Sequence, residues 1–254
     1  MEDKELNLVD HLGELRKRLI ITVGFFLVFF IVGFIYVKDI YKWFVRDLDV
    51  KLIALGPSDI IWVYMMLATV FAVAITIPVA ALQIWLFVKP ALKPLERKIS
   101  LSYIPALFVL FLVGLAFGYL VILPSILDFL VTLGEDMMAT NFTAEKYFKF
   151  IFSMTIPFGI LFELPAVVMF LTSIGIINPY VLKKVRKYAY FALVIVAAVI
   201  TPPDLMSEIM VAIPLFLLYE ISLSLSRVVY KRKLKKEQKW TEEFGLAEEE
   251  KEVS

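Results

Sequence analysis

Five long apolar runs constrain this chain more than any other feature of it. Residues 19–37, 60–88, 99–127, 150–177 and 209–226 hold almost no charge, and a sixth run, 188–200, is shorter and uncharged. A hydrocarbon core about 30 Å thick is crossed by roughly 20 apolar residues in α-helix. Inside it only helices and closed barrels satisfy their own backbone groups. The runs therefore predict an all-α, polytopic membrane protein with six transmembrane helices, the fifth and sixth of them short. Composition agrees, since 61% of the 254 residues are hydrophobic and mean hydropathy is +0.83, whereas soluble domains are roughly half apolar.

No repeat and no Gly/Ser linker divides the runs, so residues 1–230 read as a single six-helix transmembrane domain. Residues 231–254 form a basic, then acidic, tail that composition predicts to be solvated and poorly ordered. The first eighteen residues mix acids and bases before a run long enough to span, so no cleavable signal sequence is expected.

Charge distribution orients the spans. Six crossings put both termini on one side. Lys4, Arg16, Lys17 and Arg18 lie there, with Lys89, Lys93, Arg97 and Lys98, then Lys183, Lys184, Arg186 and Lys187, and seven more basic residues between positions 227 and 239. Only Lys38, Lys42, Arg46, Lys51, Lys146 and Lys149 fall opposite. The excess of Lys and Arg on cytoplasmic loops makes the termini cytoplasmic. Of the external segments, "KDIYKWFVRDLDVKLIALGPSD" mixes aromatic, aliphatic and charged residues, as expected of a short amphipathic helix or cap lying at the interface. The segment "PSILDFLVTLGEDMMATNFTAEKY" is net acidic and reads as a loop with some helix.

Several chemistries are excluded cheaply. The only histidine, His11, precedes the first span, so no Ser–His dyad or HExxH zinc site forms in the membrane. No cysteine is available for disulfides, iron–sulfur centres or thiol chemistry, and no GxxxxGK[ST] phosphate loop is present. An enzyme is not expected, nor a cofactor, a metal or a nucleic-acid partner.

The acids carry the remaining information. Glu163 lies fourteen positions into the 28-residue fourth run, about 20 Å from either end. A charge at that depth costs roughly 3 kcal/mol on insertion scales, so the group needs a polar partner or a water-filled recess. Pro157 and Pro165 bracket it and free the carbonyls of Ser153 and Leu161, inviting bends; a structural role satisfied by a neighbouring helix is the alternative. Pro78, Pro105 and Pro214 predict kinks elsewhere. The thirteen-residue fifth run reaches only about 20 Å before Pro202 and Pro203 of "ITPPDLMSE" stop it, which predicts either extension through the neighbouring polar residues or local thinning of the bilayer.

In "LVDHLGELRKRL", Leu8, Leu12, Leu15 and Leu19 form an apolar stripe. Glu14 stands one turn before Arg18 and can pair with it. In "KPALKPLERK" the single acid Glu96 sits among four bases, neutralised by them or open to a guanidinium ligand, which binds carboxylates bidentately. Glu220 reads as an interfacial acid stabilised by the basic tail.

With these residues placed, the chain resembles the TatC family of the twin-arginine protein translocase over roughly residues 8–230. The resemblance rests on "HLGELRKRL" before the first span, "QIWLFVKPAL…ER" around the first cytoplasmic loop, "FELP" in the fourth span, and "TPPD" followed by "AIP" at the start of the sixth. It implies a receptor in the cytoplasmic (inner) membrane of a prokaryote. Such a receptor takes precursors whose signal peptides carry paired arginines and passes them, folded, across the membrane under the proton-motive force. It implies that Glu96 is the principal contact for the arginine pair, with Glu14, Arg16 and Phe87 in the same site. Glu163 would face a pocket contacting single-span TatA- and TatB-type partners, and Pro202, Pro203 and Asp204 would form a functionally sensitive external segment. Lipid and further copies of the chain are the other implied partners. A proton- or cation-coupled transporter of a small solute using Glu163 is the alternative function.

Overall fold

The computed structural model describes residues 2–46, 52–89, 103–134 and 143–252. Among these the chain is helical throughout, with a lone β-bridge between Ile53 and Thr143. Helix α1 (Glu2–Ile35) runs "HLGELRKRL" into the first apolar run without a break, and α2 (Val37–Val45) follows after Tyr36 alone. Helix α3 (Pro57–Val88) starts with proline in its first turn, where the missing N–H costs nothing. There Asp59 accepts the backbone N–H groups of Leu55 (2.8 Å) and Gly56 (3.3 Å). The third span is α4 (Tyr103–Phe117), a five-residue π-helical segment Gly118–Ile122, and α5 (Leu123–Gly134). The fourth is α6 (Ala144–Leu161) and α7 (Leu164–Ser173), followed by α8 (Pro179–Lys184), α9 (Arg186–Ile200) and α10 (Leu205–Glu252).

Five of these stretches are long and apolar enough to cross a membrane: Leu12–Ile35, Pro57–Val88, Pro105–Gly134, Ala144–Ser173 and Leu205–Lys235. The expected fifth helix falls short of that length, since α9 has fifteen residues, about 22 Å. The expected sixth is not short. Beyond the apolar part of α10 the chain is rich in Lys, Arg and Glu, good helix formers, and the helix continues to Glu252. Pro78, Pro157 and Pro214 lie inside α3, α6 and α10 as the sequence suggests. Pro105 lies two residues after Tyr103, where the described part of α4 starts.

The helices fall into two compact units, one from Met1–Lys93 with Ile104–Ile160, the other from Pro94–Tyr103 with Leu161–Ser254. In the first, Arg18 reaches Gln83, Gly33 lies against Ala68, and the rings of Phe34 and Tyr64 meet at 6.3 Å, so α1 and α3 run antiparallel. The crossing is close: a Cβ on Gly33 would stand 3.2 Å from the Ala68 backbone and 2.9 Å from Phe71. Such small-residue contacts are how helices approach where lipid removes the hydrophobic drive. The α4 and α6 helices enclose buried Phe111, Phe148 and Phe158. Helix α2 lies over one end of the unit on aromatic contacts, Tyr41 to Phe148 (5.4 Å), Phe44 to Phe152 (5.4 Å) and Trp43 to Tyr119 (5.4 Å). The expected amphipathic segment is thus a helix with an aromatic underside.

In the second unit α10 is the spine. Thr172 of α7 and Ser226 of α10, both fully buried, share a hydrogen bond of 2.8 Å. Arg186 and Tyr190 of α9 meet Glu220 and Phe216 of α10, so α9 runs antiparallel to it. Gly175 ends α7 in the left-handed region (φ +83°), where its N–H and that of Ile176 take the last carbonyls, Thr172 (3.1 Å) and Leu171 (3.0 Å). Large apolar side chains cover the outer surfaces, Leu19, Ile20, Phe191 and Val199 among them. A water-facing surface rarely carries that much, and a lipid-facing one requires it.

Candidate functional site

The α1 end of the first unit gathers three of the expected peptide-binding residues. Glu14 Oε1 accepts from Arg18 Nη2 at 3.0 Å, one helical turn away on α1, so the local pairing expected from the i, i+4 spacing forms. The same guanidinium donates through Nη1 to Gln83 Oε1 of α3 at 3.3 Å. Arg18 and Gln83 therefore hold the acid in place. The signal for Gln83 is visible in retrospect, since it is the only amide in the 60–88 run. Arg16 projects exposed from α1, and Phe87 is half-buried in the last turn of α3. Beside it Lys89 Nζ lies 5.5 Å from the centre of the Trp85 ring. Glu96 lies outside the described residues.

In the second unit Glu163 stands at a discontinuity. The fourth span is not one bent helix: α6 ends at Leu161, Phe162 and Glu163 form a turn, and α7 starts at Leu164 with Pro165 in its first turn. Pro165 explains the break, because it cannot donate to the Leu161 carbonyl and its ring crowds that turn. Pro157 lies within α6 without ending it. Glu163 is the N-cap residue of α7, and its carbonyl accepts from Val167 N–H at 3.0 Å. Its side chain does not cap the helix. Oε1 is buried and has no hydrogen-bond partner among the described residues. Of the two conditions that a carboxyl at this depth demands, a polar partner is not met within the described chain.

The connection before α10 has a local explanation. Pro202 is half-buried and Pro203 exposed, and together they end α9. Asp204 caps α10 through Oδ1, which accepts from Ser207 N–H at 2.7 Å, while its carbonyl takes Glu208 N–H at 3.2 Å. Asp204 Oδ2 and Ser207 Oγ are buried without partners among the described residues.

One cluster was not anticipated. Glu220 Oε1 accepts from Arg186 Nε (2.6 Å) and from Tyr190 Oη (2.5 Å), and Glu220 Oε2 pairs with Arg186 Nη2 (2.5 Å). Tyr219 Oη donates to the Leu182 carbonyl at 2.7 Å. Glu220 is thus held by the start of α9, where the sequence reading looked to the basic tail. The bidentate fork, with a phenol as third donor, ties the short helix to the long one.

The chain as a whole has relatives. The family model described as "Sec-independent protein translocase protein (TatC)" matches residues 10–214. The protein TatCd of Bacillus subtilis is 53% identical over 237 residues, covering 93% of this chain and 98% of that protein. TatCy of the same organism is 42% identical over 236 residues, with 91% and 93% covered. Among solved structures, a crystal structure of the twin-arginine translocase receptor TatC superposes with a TM-score of 0.76 at 33% identity, covering 86% of this chain and 99% of that one. By a match over most of its length and by identity well above that of chance resemblance, this chain belongs to the TatC family of Sec-independent protein translocase proteins.

Proposed function

We propose that this chain is the receptor and core subunit of a twin-arginine translocase. It crosses the cytoplasmic membrane six times with both termini in the cytoplasm. It binds the paired arginines of signal peptides with Glu96 and Glu14, flanked by Arg16 and Phe87. Around Glu163 it engages single-span partners of the TatA and TatB type, and the assembled complex exports folded proteins under the proton-motive force.

The observation that carries the reading is Glu163: a buried carboxylate oxygen without a donor, at the one break in the fourth span. Asp204 Oδ2 is also without a partner among the described residues, but Asp204 Oδ1 caps α10, whereas the Glu163 side chain caps nothing, so local structure does not account for it. A docking helix that brings a hydroxyl or amide supplies the missing bond. The antiparallel lie of α9 on α10, through Arg186 and Glu220, supports a sixth crossing by a helix too short for an unperturbed bilayer. Seven basic residues on the α10 extension between positions 227 and 239 support cytoplasmic termini.

Site-specific photocrosslinking tests the receptor role. Purified chain is expected to crosslink an Arg-Arg signal peptide and to lose most of that signal with a Lys-Lys peptide, because only guanidinium pairs bidentately. Glu96→Ala should weaken the crosslink strongly. Glu14→Ala should weaken it less, because Arg18 already shares that charge. An unchanged crosslink in Glu96→Ala removes the assignment. Proton-coupled uptake of a small solute into liposomes holding this chain alone would favour the transporter reading.

A further inference from the structure

The end of the first unit covered by α2 contains a cavity of about 360 Å³ that the receptor role does not use. Pockets for small ligands start near this volume. Lys38, Tyr41 and Lys42 of α2 line one side, and Asp59 and Tyr64 of α3 the other. Leu52, Ile60 and Val63 add an apolar wall.

The polar groups are unevenly committed. Asp59, the only acid lining the cavity among the described residues, spends its oxygens on Leu55 N–H, Gly56 N–H and the Ser58 hydroxyl. Lys38 and Lys42 form no ion pair among the described residues. Burial, and then the nearby Tyr64, push the Tyr41 phenol up from its ordinary value, which keeps it a hydroxyl donor. The lining residues thus include two lysines and two tyrosines, while the Asp59 carboxylate is engaged by the loop before α3. Oxygen-rich anions fit such a surplus of donors.

Depth identifies the source of the anion. Trp43 and Trp62 are exposed near the same end, and Arg46 lies 5.3 Å from the Trp43 ring centre. Exposed Trp and basic residues at a span terminus mark the headgroup level of a bilayer. A group bound there beside an apolar wall has its own tail in the acyl region.

We propose that this cavity binds the phosphate headgroup of an anionic phospholipid, gripped by Lys38 and Lys42 with Tyr41 and Tyr64 as hydroxyl donors, while Leu52, Ile60 and Val63 receive the glycerol and upper acyl carbons. The site lies apart from Glu14 and Phe87, which are at the opposite ends of α1 and α3. It serves to seat α2 on the membrane.

Native mass spectrometry of the full chain, purified in detergent with equal amounts of phosphatidylglycerol and phosphatidylcholine, tests it. Phosphatidylglycerol should be retained preferentially. The double variant Lys38→Gln/Lys42→Gln should lower its occupancy about tenfold or more, given the contribution of each basic residue at a lipid surface. Lys38→Arg/Lys42→Arg should keep it, and Lys146→Gln should change nothing. Equal retention of both lipids, or unaltered occupancy in the Gln double variant, overturns the proposal. Displacement of the lipid by millimolar inorganic phosphate does so too, by showing a site for a soluble anion.

Discussion

Glu14 and Glu163 are the same side chain in opposite circumstances. Glu14 sits at a helix surface, a third exposed, paired with an Arg one turn on. A pair of that kind contributes at most about 1 kcal/mol, so the acid is held but not locked, and an incoming guanidinium can share or displace Arg18. Glu163 has the reverse problem, a buried oxygen with no donor among the described residues. Removing such a group loses no internal bond. Glu163→Gln should therefore leave the thermal stability of the detergent-solubilised chain within about 1 kcal/mol of the parent, abolish export, and preserve crosslinking to the signal peptide. Loss of peptide binding in a folded Glu163→Gln chain would contradict the separation of roles. Asp204 is the test of the opposite kind, since its capping bond accounts for an acid at that position. Asp204→Ala should cost about 1 kcal/mol of stability and Asp204→Ser should restore most of it. If Asp204→Asn is as stable as the parent yet blocks export, the carboxylate does more than cap.

At the level of elements, the positions of the crossing helices were legible because the length of an apolar run and the thickness of a bilayer are the same physical quantity. What could not be read is how each proline acts. Pro157 and Pro165 are alike in sequence, yet α6 continues through the first and the chain breaks before the second. Which carbonyl is abandoned depends on what packs against it. The π-helical segment at Gly118–Ile122 left no sequence signal at all. Nor did the partner of Glu220, because a contact across 34 residues is invisible to local spacing. That contact defines how α9 is fastened. Breaking it with Glu220→Ala should cost on the order of 1 kcal/mol, given that both side chains are more than a third exposed. Arg186→Ala combined with it should add little, and a double-mutant cycle on thermal unfolding measures that coupling.

Across the whole molecule, if α9 crosses the membrane as proposed, it and the hydrocarbon layer do not match: about 22 Å of helix stands against about 30 Å of core. The cost of that mismatch falls on the surrounding lipid, at fractions of a kcal/mol per Å. Complexes reconstituted with phosphatidylcholines of increasing acyl length should transport best in the thinner bilayers and fail progressively in thicker ones. Transport indifferent to thickness would mean that α9 is not exposed to lipid in the working complex.

The unaccompanied oxygen at the break in the fourth span has one more implication. A buried acceptor left empty raises the energy of the solitary chain by about 1–3 kcal/mol. Whatever donor arrives relieves that penalty, which is worth roughly ten- to a hundredfold in association. If a partner helix supplies that donor, as proposed, assembly completes what the described chain leaves open.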